Sequence, residues 1–373
     1  MKQGWQIKRL GEICEIYAGQ GAPQGEDNYC TQGTPFIKAG NLEALTSGES
    51  ESNIQQVSED VAKSHKLVKY KKGSVVFAKS GMSCMKGYIY TLQGDCYVVS
   101  HLAILTPKQI ESSFLNYCLQ VYKPCSLAKE AAFPSITLKE LSSFEIPVPS
   151  FSEQQRIVAL LDAEFAKIDA LKANAEKNLQ NAKDLFQAAL KKELEPKEGW
   201  FVSTLQQMLK LTSGDNLTAK SIVAGVYPVY GGNGIMGYHN QYNLDGENVI
   251  VGRVGALCGN VRFVKGKIWY TDNAFLVNDK TKSFYLPFLT YELTKANLRQ
   301  YATQAAQPVI SNVSMKDVVL SIPPTINDQQ TIVARLNVLS EKCKNLQANY
   351  EKTLNLCDDL KQALLRKAFN GEI

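Results

Sequence analysis

Long apolar runs, paired CxxC cysteines and nucleotide-cradling glycine loops are all missing from this 373-residue chain, and each absence excludes something. No stretch approaches the ~20 apolar residues that a membrane-spanning helix requires. The opening residues, Met1-Lys2-Gln3-Gly4-Trp5, lack the apolar core of a secretion signal. There are nine cysteines, an odd number, with no regular spacing. We therefore read a reducing, cytoplasmic protein, and expect neither disulfides nor a zinc site. Only three histidines are present, His65, His101 and His239. None has a carboxylate, Ser or Cys partner at a telling spacing, and His101 reads as a core or turn residue. No GxxxxGK[ST] loop occurs, which excludes an ATPase site of that kind. Gly231–Gly234 and Gly252–Gly255 are glycine-rich, but neither forms a strand–GxGxxG–helix unit. The Asn/Asp-Pro-Pro-aromatic signature of amino-methyltransferases is absent, because Pro323-Pro324 lies between Ile322 and Thr325. A formal net charge of +5 is mildly basic and allows a nucleic-acid surface that is local or shared.

Glycine and proline are also missing from two long stretches, Ser152–Glu195 and Asn327–Asn370. Each follows a proline-bearing strand end, Ile146-Pro147-Val148-Pro149 and Ile322-Pro323-Pro324. Ser152 with Gln155, and Asn327 with Gln330, fit a capping box. Pro196 stops the first helix, and Asn370-Gly371 ends the second. The two stretches align without a gap, Gln154-Gln155-x-Ile157-Val158-Ala159 against Gln329-Gln330-x-Ile332-Val333-Ala334. Apolar or small residues recur at three- and four-residue steps: Leu161, Phe165, Ile168, Ala175, Leu179, Ala182, Phe186 and Ala189. In the second stretch they are Leu336, Leu339, Cys343, Leu346, Tyr350, Leu354, Cys357, Leu360 and Leu364. One narrow seam on a helix of roughly 60 Å needs a partner, and its own repeat is the natural one.

The repeat extends beyond the helices. Lys2-x-Gly4-Trp5 matches Lys197-x-Gly199-Trp200, followed by Leu10 and Leu205 and by Gly19 and Gly214. The runs Ser74–Ala78, Tyr88–Leu92, Tyr97–Val99 and Ala103–Leu105 read as strands, and Glu111–Tyr122 as an amphipathic helix. Asn248–Val254 echoes Val75–Ser80, which sets Arg253 where Lys79 stands and Cys258 where Cys84 stands. Ala131-Ala132-Phe133-Pro134 echoes Ala305-Ala306-Gln307-Pro308. The expected organisation is α+β: mixed domains at 1–150 and 197–326, and long helices at 151–196 and 327–373. The helices pair antiparallel as a coiled coil, with an approximate two-fold axis relating the repeats.

This order of motifs, twice over, resembles the specificity subunit of type I restriction-modification enzymes. The resemblance rests on the IP-(x)-P segments that lead into E/D-Q-Q-x-I-V-A helices, on Val75–Gly81 with its counterpart Val249–Gly255, and on the KxGW openings. It implies that each globular segment is a target recognition domain for one part of a split double-stranded DNA target, with the helices setting the gap. It implies two modification subunits docked on the helices, bringing S-adenosylmethionine and methylating adenine. A restriction subunit would use ATP and Mg to cleave. This chain would bind no cofactor and would supply recognition and assembly, not chemistry.

Base edges are read by hydrogen-bonding side chains, and phosphates by Lys and Arg. The candidates lie in loops that differ between the repeats. In the first domain they are Lys38, Asn41, Lys79, Ser80, Met82, Lys86 and Lys129. In the second they are Tyr230, Asn233, Tyr238, His239, Asn240, Arg253, Arg262, Gln304 and Gln307. The cluster Lys63, Lys66, Lys69, Lys71 and Lys72 suits a phosphate-facing or merely solvated patch. Two other readings stay open: a self-contained methyltransferase or nuclease with tandem recognition domains, and a coiled-coil adaptor with no DNA role.

Overall fold

The computed structural model describes residues 4–128, 133–304 and 306–373. The chain divides into two compact units, Met1–Asn174 with Thr353–Ile373, and Ala175–Lys352. The division falls inside both long helices, Phe151–Glu193 and Ile326–Asn370, so each unit holds a piece of each.

In the first unit the KxGW opening leads to strand Gln6–Arg9, which pairs antiparallel with Glu145–Val148. A four-stranded antiparallel sheet follows, ordered Cys14–Ala18, Leu102–Pro107, Val75–Ala78, Ile89–Thr91. A smaller sheet joins Gln56–Val57, Thr34–Ile37 and Tyr97–Val98, the last pair running parallel. The central strand reads as an unbroken apolar run because both its faces are covered. Val75 and Phe77 face one core, with Phe114, Leu115 and Leu161, while Val76 and Ala78 face another, with Phe36, Leu92 and Val98. The helix over the first face is Ser112–Val121.

The second unit repeats this plan. Phe201–Thr204 pairs with Val319–Ile322. The four-stranded sheet is ordered Leu209–Ser213, Ala274–Asp279, Glu247–Gly252, Val261–Lys265. A three-stranded sheet joins Gly234–His239, Ala224–Gly231 and Trp269–Tyr270, again with one parallel pair. Helix Leu286–Lys295 lies where Ser112–Val121 lies in the first unit. Gly19 and Gly214 have the same reason to be glycine. A Cβ at Gly19 would sit 2.2 Å from the Val99 carbonyl oxygen, and one at Gly214 would sit 2.1 Å from that of Tyr270.

The repeated glutamines of the two helix starts prove to be clamps. Gln154, buried, accepts from the Glu111 amide at 2.8 Å and donates to the Pro149 carbonyl at 3.0 Å. Gln329, buried, accepts from the Tyr285 amide at 2.7 Å and donates to the Ser283 carbonyl at 2.8 Å. Each ties its long helix to the residue that caps the covering helix. A second tie also repeats: the Tyr117 hydroxyl donates to Asp162 at 2.5 Å, and that of Tyr291 to Asn337 at 2.7 Å.

The helix caps differ from the sequence expectation. Ser150 accepts from the Glu153 amide at 3.4 Å, and Thr325 from the Asp328 amide at 3.1 Å, so the helices begin before Ser152 and Asn327. The first turn absorbs Phe151 and Ile326, and the hydroxyl residue that leaves the preceding proline segment takes the cap. The second helix ends as expected, with Gly371 at φ +76°.

Within the first unit the start of one long helix runs beside the end of the other. Lys172 pairs with Asp358 at 2.7 Å and Lys361 with Asp169 at 2.5 Å, and Arg156 donates to the carbonyl of Ile373. Within the second unit Arg335 pairs with Glu193 at 2.7 Å. Leu161, Ile168, Ala175 and Ala182 are buried at seven-residue steps, as are Leu336 and Cys343, with half-buried Tyr350 and buried Cys357 continuing that period. Leu346 and Leu360, expected on the seam, are instead 40% and 47% exposed. Half-buried Gln347 and Lys361 stand one residue further on and take the inner side. No helix among the described residues is long and apolar enough to cross a membrane.

Candidate nucleic-acid interface

In each unit the middle strand of the large sheet ends in a loop held by the same backbone hydrogen bonds. The Lys79 amide donates to His101 at 2.9 Å, and the Lys79 carbonyl accepts from Ile136 at 2.8 Å. The Arg253 amide donates to Asn273 at 2.8 Å, and its carbonyl accepts from Ile310 at 3.0 Å. Two residues on, Gly81 and Gly255 adopt φ of +74° and +97°, which a Cβ would oppose. The Gly81 amide donates to Pro134, and the Gly255 amide to Pro308, both at 2.9 Å. Cys84 and Cys258 are buried below, and each donates its amide back to that glycine. Lys79 and Arg253 are thus equivalent in three dimensions.

The side chains on this common frame differ. In the first unit, the Ser80 hydroxyl lies 3.1 Å from His101 Nδ1, and Met82 stands on the short helix Met82–Lys86. Lys86 at the end of that helix pairs with Glu43 at 3.1 Å, holding its carboxyl below the usual range. That pair brings the Lys38–Asn41 turn to the same region. Lys38 Nζ donates to Gln55 at 2.6 Å and lies 4.2 Å over the Tyr29 ring. The Asn41 side-chain oxygen accepts from the Lys38 amide at 2.8 Å, so that oxygen fastens its own turn. Lys129 lies outside the described residues. Of the lysine cluster, Lys69 is bound to Glu59 and Lys71 to Asp95, which leaves a partly neutralised patch.

In the second unit, Arg253 Nη1 donates to the Asp272 carbonyl at 3.2 Å and reaches the Ser213 hydroxyl at 3.5 Å, while its buried Nε has no partner among the described residues. The Asn233 side-chain oxygen accepts from the Leu257 amide, and its carbonyl accepts from Arg262 Nη2, both at 3.2 Å. Arg253, Asn233 and Arg262 therefore gather at one end of the sheet, with exposed Gln307 beside Pro308. Gln304 is exposed on the same segment. Tyr238, His239 and Asn240 stand at the opposite end of the Gly234–His239 hairpin from Asn233.

Two of the expected readers are corrected by packing. His239 is 6% exposed, its Nδ1 accepts from the Val223 amide at 3.0 Å, and its ring meets Trp269 edge-on. Tyr230 packs on Ile250, Val264 and Ile268. Both sit on strands that alternate sides: His239 points inward, and Tyr230 is half-buried with its ring against that cluster. Sequence reasoning passed over Met85 and Phe133, which the structure leaves exposed. Met85 stands three residues after Met82, one turn along the same helix, and that spacing was the available signal. Among the described residues no group of three or more His, Cys, Asp or Glu side chains converges as a metal site would require.

Two copies of one α/β frame, each set on paired long helices and each carrying its own loop residues, define a tandem recognition protein. The chain belongs to the family of the type I restriction modification DNA specificity domain, whose model matches residues 2–181 and again 197–356. The chain is 30% identical over 245 residues to the type I restriction enzyme EcoprrI specificity subunit of Escherichia coli, covering 59% of this chain and 59% of that relative. It is 22% identical over 425 residues to the EcoKI specificity subunit of Escherichia coli K12, covering 100% of this chain and 90% of that relative. In fold it is similar to a chain from a structure of type I R-M complex assembly (TM-score 0.81, 17% identity, 100% and 99% coverage). It is also similar to the HsdS subunit from Thermoanaerobacter tengcongensis (TM-score 0.59, 17% identity, 100% and 98% coverage).

Proposed function

We propose that the chain reads a split, asymmetric double-stranded DNA target, one half-site per unit, and docks two modification subunits that methylate an adenine in each half. The chain itself does no chemistry in this reading. S-adenosylmethionine, ATP and Mg belong to the modification and restriction subunits that assemble on it. The paired helices hold the two readers apart and set the unread gap. The observation that carries this is the shared loop frame around Lys79 and Arg253, with matching backbone bonds and different side chains. A frame kept twice with its tips changed suits two specificities on one scaffold. Lys79, Ser80, Met82, Arg253, Arg262, Gln304 and Gln307 are the side chains best placed to meet base edges or phosphates.

The test is to express the chain with its modification subunit in a host free of adenine methylation and to sequence the methylome. The expected motif has two short specified blocks around a fixed gap, with one methylated adenine in each. A single contiguous motif would refute the proposal, as would methylation by the chain alone.

A further inference from the structure

The first unit carries three large exposed apolar side chains on this loop frame, where the second carries one, Leu257, at the place of Ser83. Met82 is 66% exposed, Met85 54% and Phe133 77%. They are not loose ends. Cys84, buried between the two methionines, pins the short helix to the core. The Gly81 amide, one residue before Met82, donates to the carbonyl of Pro134, the residue after Phe133. The loop bonds of the two units set the correspondence, so Met82, Met85 and Phe133 match Ala256, Gly259 and Gln307. Residues Lys79–Gly87 include two lysines and no carboxylate; Lys86 is met by Glu43 from outside the loop, so Lys79 is the cation that suits a polyanion with apolar features. A surface for a subunit that docks identically on both repeats would be kept in both, and this one is not.

We propose that Met82, Met85 and Phe133 are specificity residues through which the first unit reads thymine C5-methyl groups of its half-site. The thymine methyl is the apolar feature of the major groove, and side chains of this kind recognise it by contact. The inference rests on each unit being a half-site reader. The second unit, with Ala256, Gly259 and Gln307 in these places, lacks these three contacts. A methylated adenine in the first half-site guarantees at least one thymine, opposite it.

The experiment uses the purified complex of the full chain with its modification subunit. Each thymine of both half-sites is replaced in turn by deoxyuridine, which deletes only the methyl group, and binding is measured by competition. Burying one methyl is worth about three- to tenfold in affinity. That loss is expected at one or more thymines of one half-site and at none of the other. The triple variant Met82→Ser, Met85→Ser, Phe133→Ser is expected to bind the thymine and deoxyuridine duplexes equally, with the other half-site still discriminated, which also reports that the chain is folded. Insensitivity to deoxyuridine at every position would overturn the proposal, as would a triple variant that keeps the wild-type preference for thymine. A triple variant that no longer sediments with the modification subunit would assign the surface to protein docking instead. Failure of the wild-type complex to prefer its target over a scrambled duplex would refute the half-site reading itself.

Discussion

At the scale of single residues, the two repeats solve the same positions with different chemistry. Cys118, buried in the helix over the first sheet, corresponds to Glu292, which is fully buried in the second. Glu292 pairs with Lys295 at 2.8 Å and accepts from the Ser321 amide and hydroxyl, while its second oxygen has no partner among the described residues. Lys295 in turn donates to the Leu194 carbonyl at the end of the first long helix. Breaking such a pair strands a buried charge, so Glu292→Ala should destabilise the second unit by about 3–5 kcal/mol, read by urea unfolding. Burial holds the Glu292 carboxyl above its ordinary range, against the pull of Lys295 and Ser321. The folded state therefore binds this proton more tightly than the unfolded chain does. The resulting stabilisation is full below the unfolded carboxyl pKa and is lost as pH rises through the folded one. Protection of the Ser321 amide from hydrogen exchange, relative to its intrinsic rate at each pH, should fall over that window in the wild type and stay level in Glu292→Gln. Arg253 is the residue-scale test of reading. With its guanidinium held by Asp272, it is aimed rather than free, and Arg253→Ala should cost about 1–3 kcal/mol of discrimination in the second half-site and none in the first. Competition binding with single-base variants of each half measures it.

At the scale of elements, what was legible was periodicity. The expected strands Ser74–Ala78, Tyr88–Leu92, Tyr97–Val99 and Ala103–Leu105 all appear, shifted by a residue or two, because β-branched and aromatic runs flanked by Gly and Asn admit little else. The role of Gln154 and Gln329 was not legible. They stood out as a repeated motif, yet only folding showed that each closes on the cap of a helix distant in sequence. Leaving those amides unmet costs about 1–3 kcal/mol each, so Gln154→Ala should speed exchange at the Glu111 amide and Gln329→Ala at that of Tyr285, each within its own unit. The pairs Lys172–Asp358 and Lys361–Asp169 set register in the first unit. Both are well solvated, so Asp169→Asn with Asp358→Asn should cost no more than about 1 kcal/mol per pair in urea unfolding.

At the scale of the whole molecule, the proposed function is a matter of spacing. If the paired helices set the gap between half-sites, removing seven residues from each keeps every seam residue on its face and shortens only the spacer. The expected methylome keeps both specified blocks and loses unread positions between them. An unchanged gap would detach the helices from that role. The duplication also predicts independence: a change in one reader alters one block alone.

The sequence by itself determined that there are two copies of one unit, that each contains the middle strand and the loop behind Lys79 or Arg253, and that two long helices accompany them. Repeats, apolar periods and the places of Gly and Pro are local, and they survive without coordinates. Tertiary structure alone decided which loop residues face outward. His239 looked like a reader and is buried against Trp269, and Tyr230 is half-buried on a small core, while Met85 and Phe133 were not among the candidate readers and stand in solvent. Burial depends on what the rest of the chain brings alongside, and no single stretch of sequence carries that information.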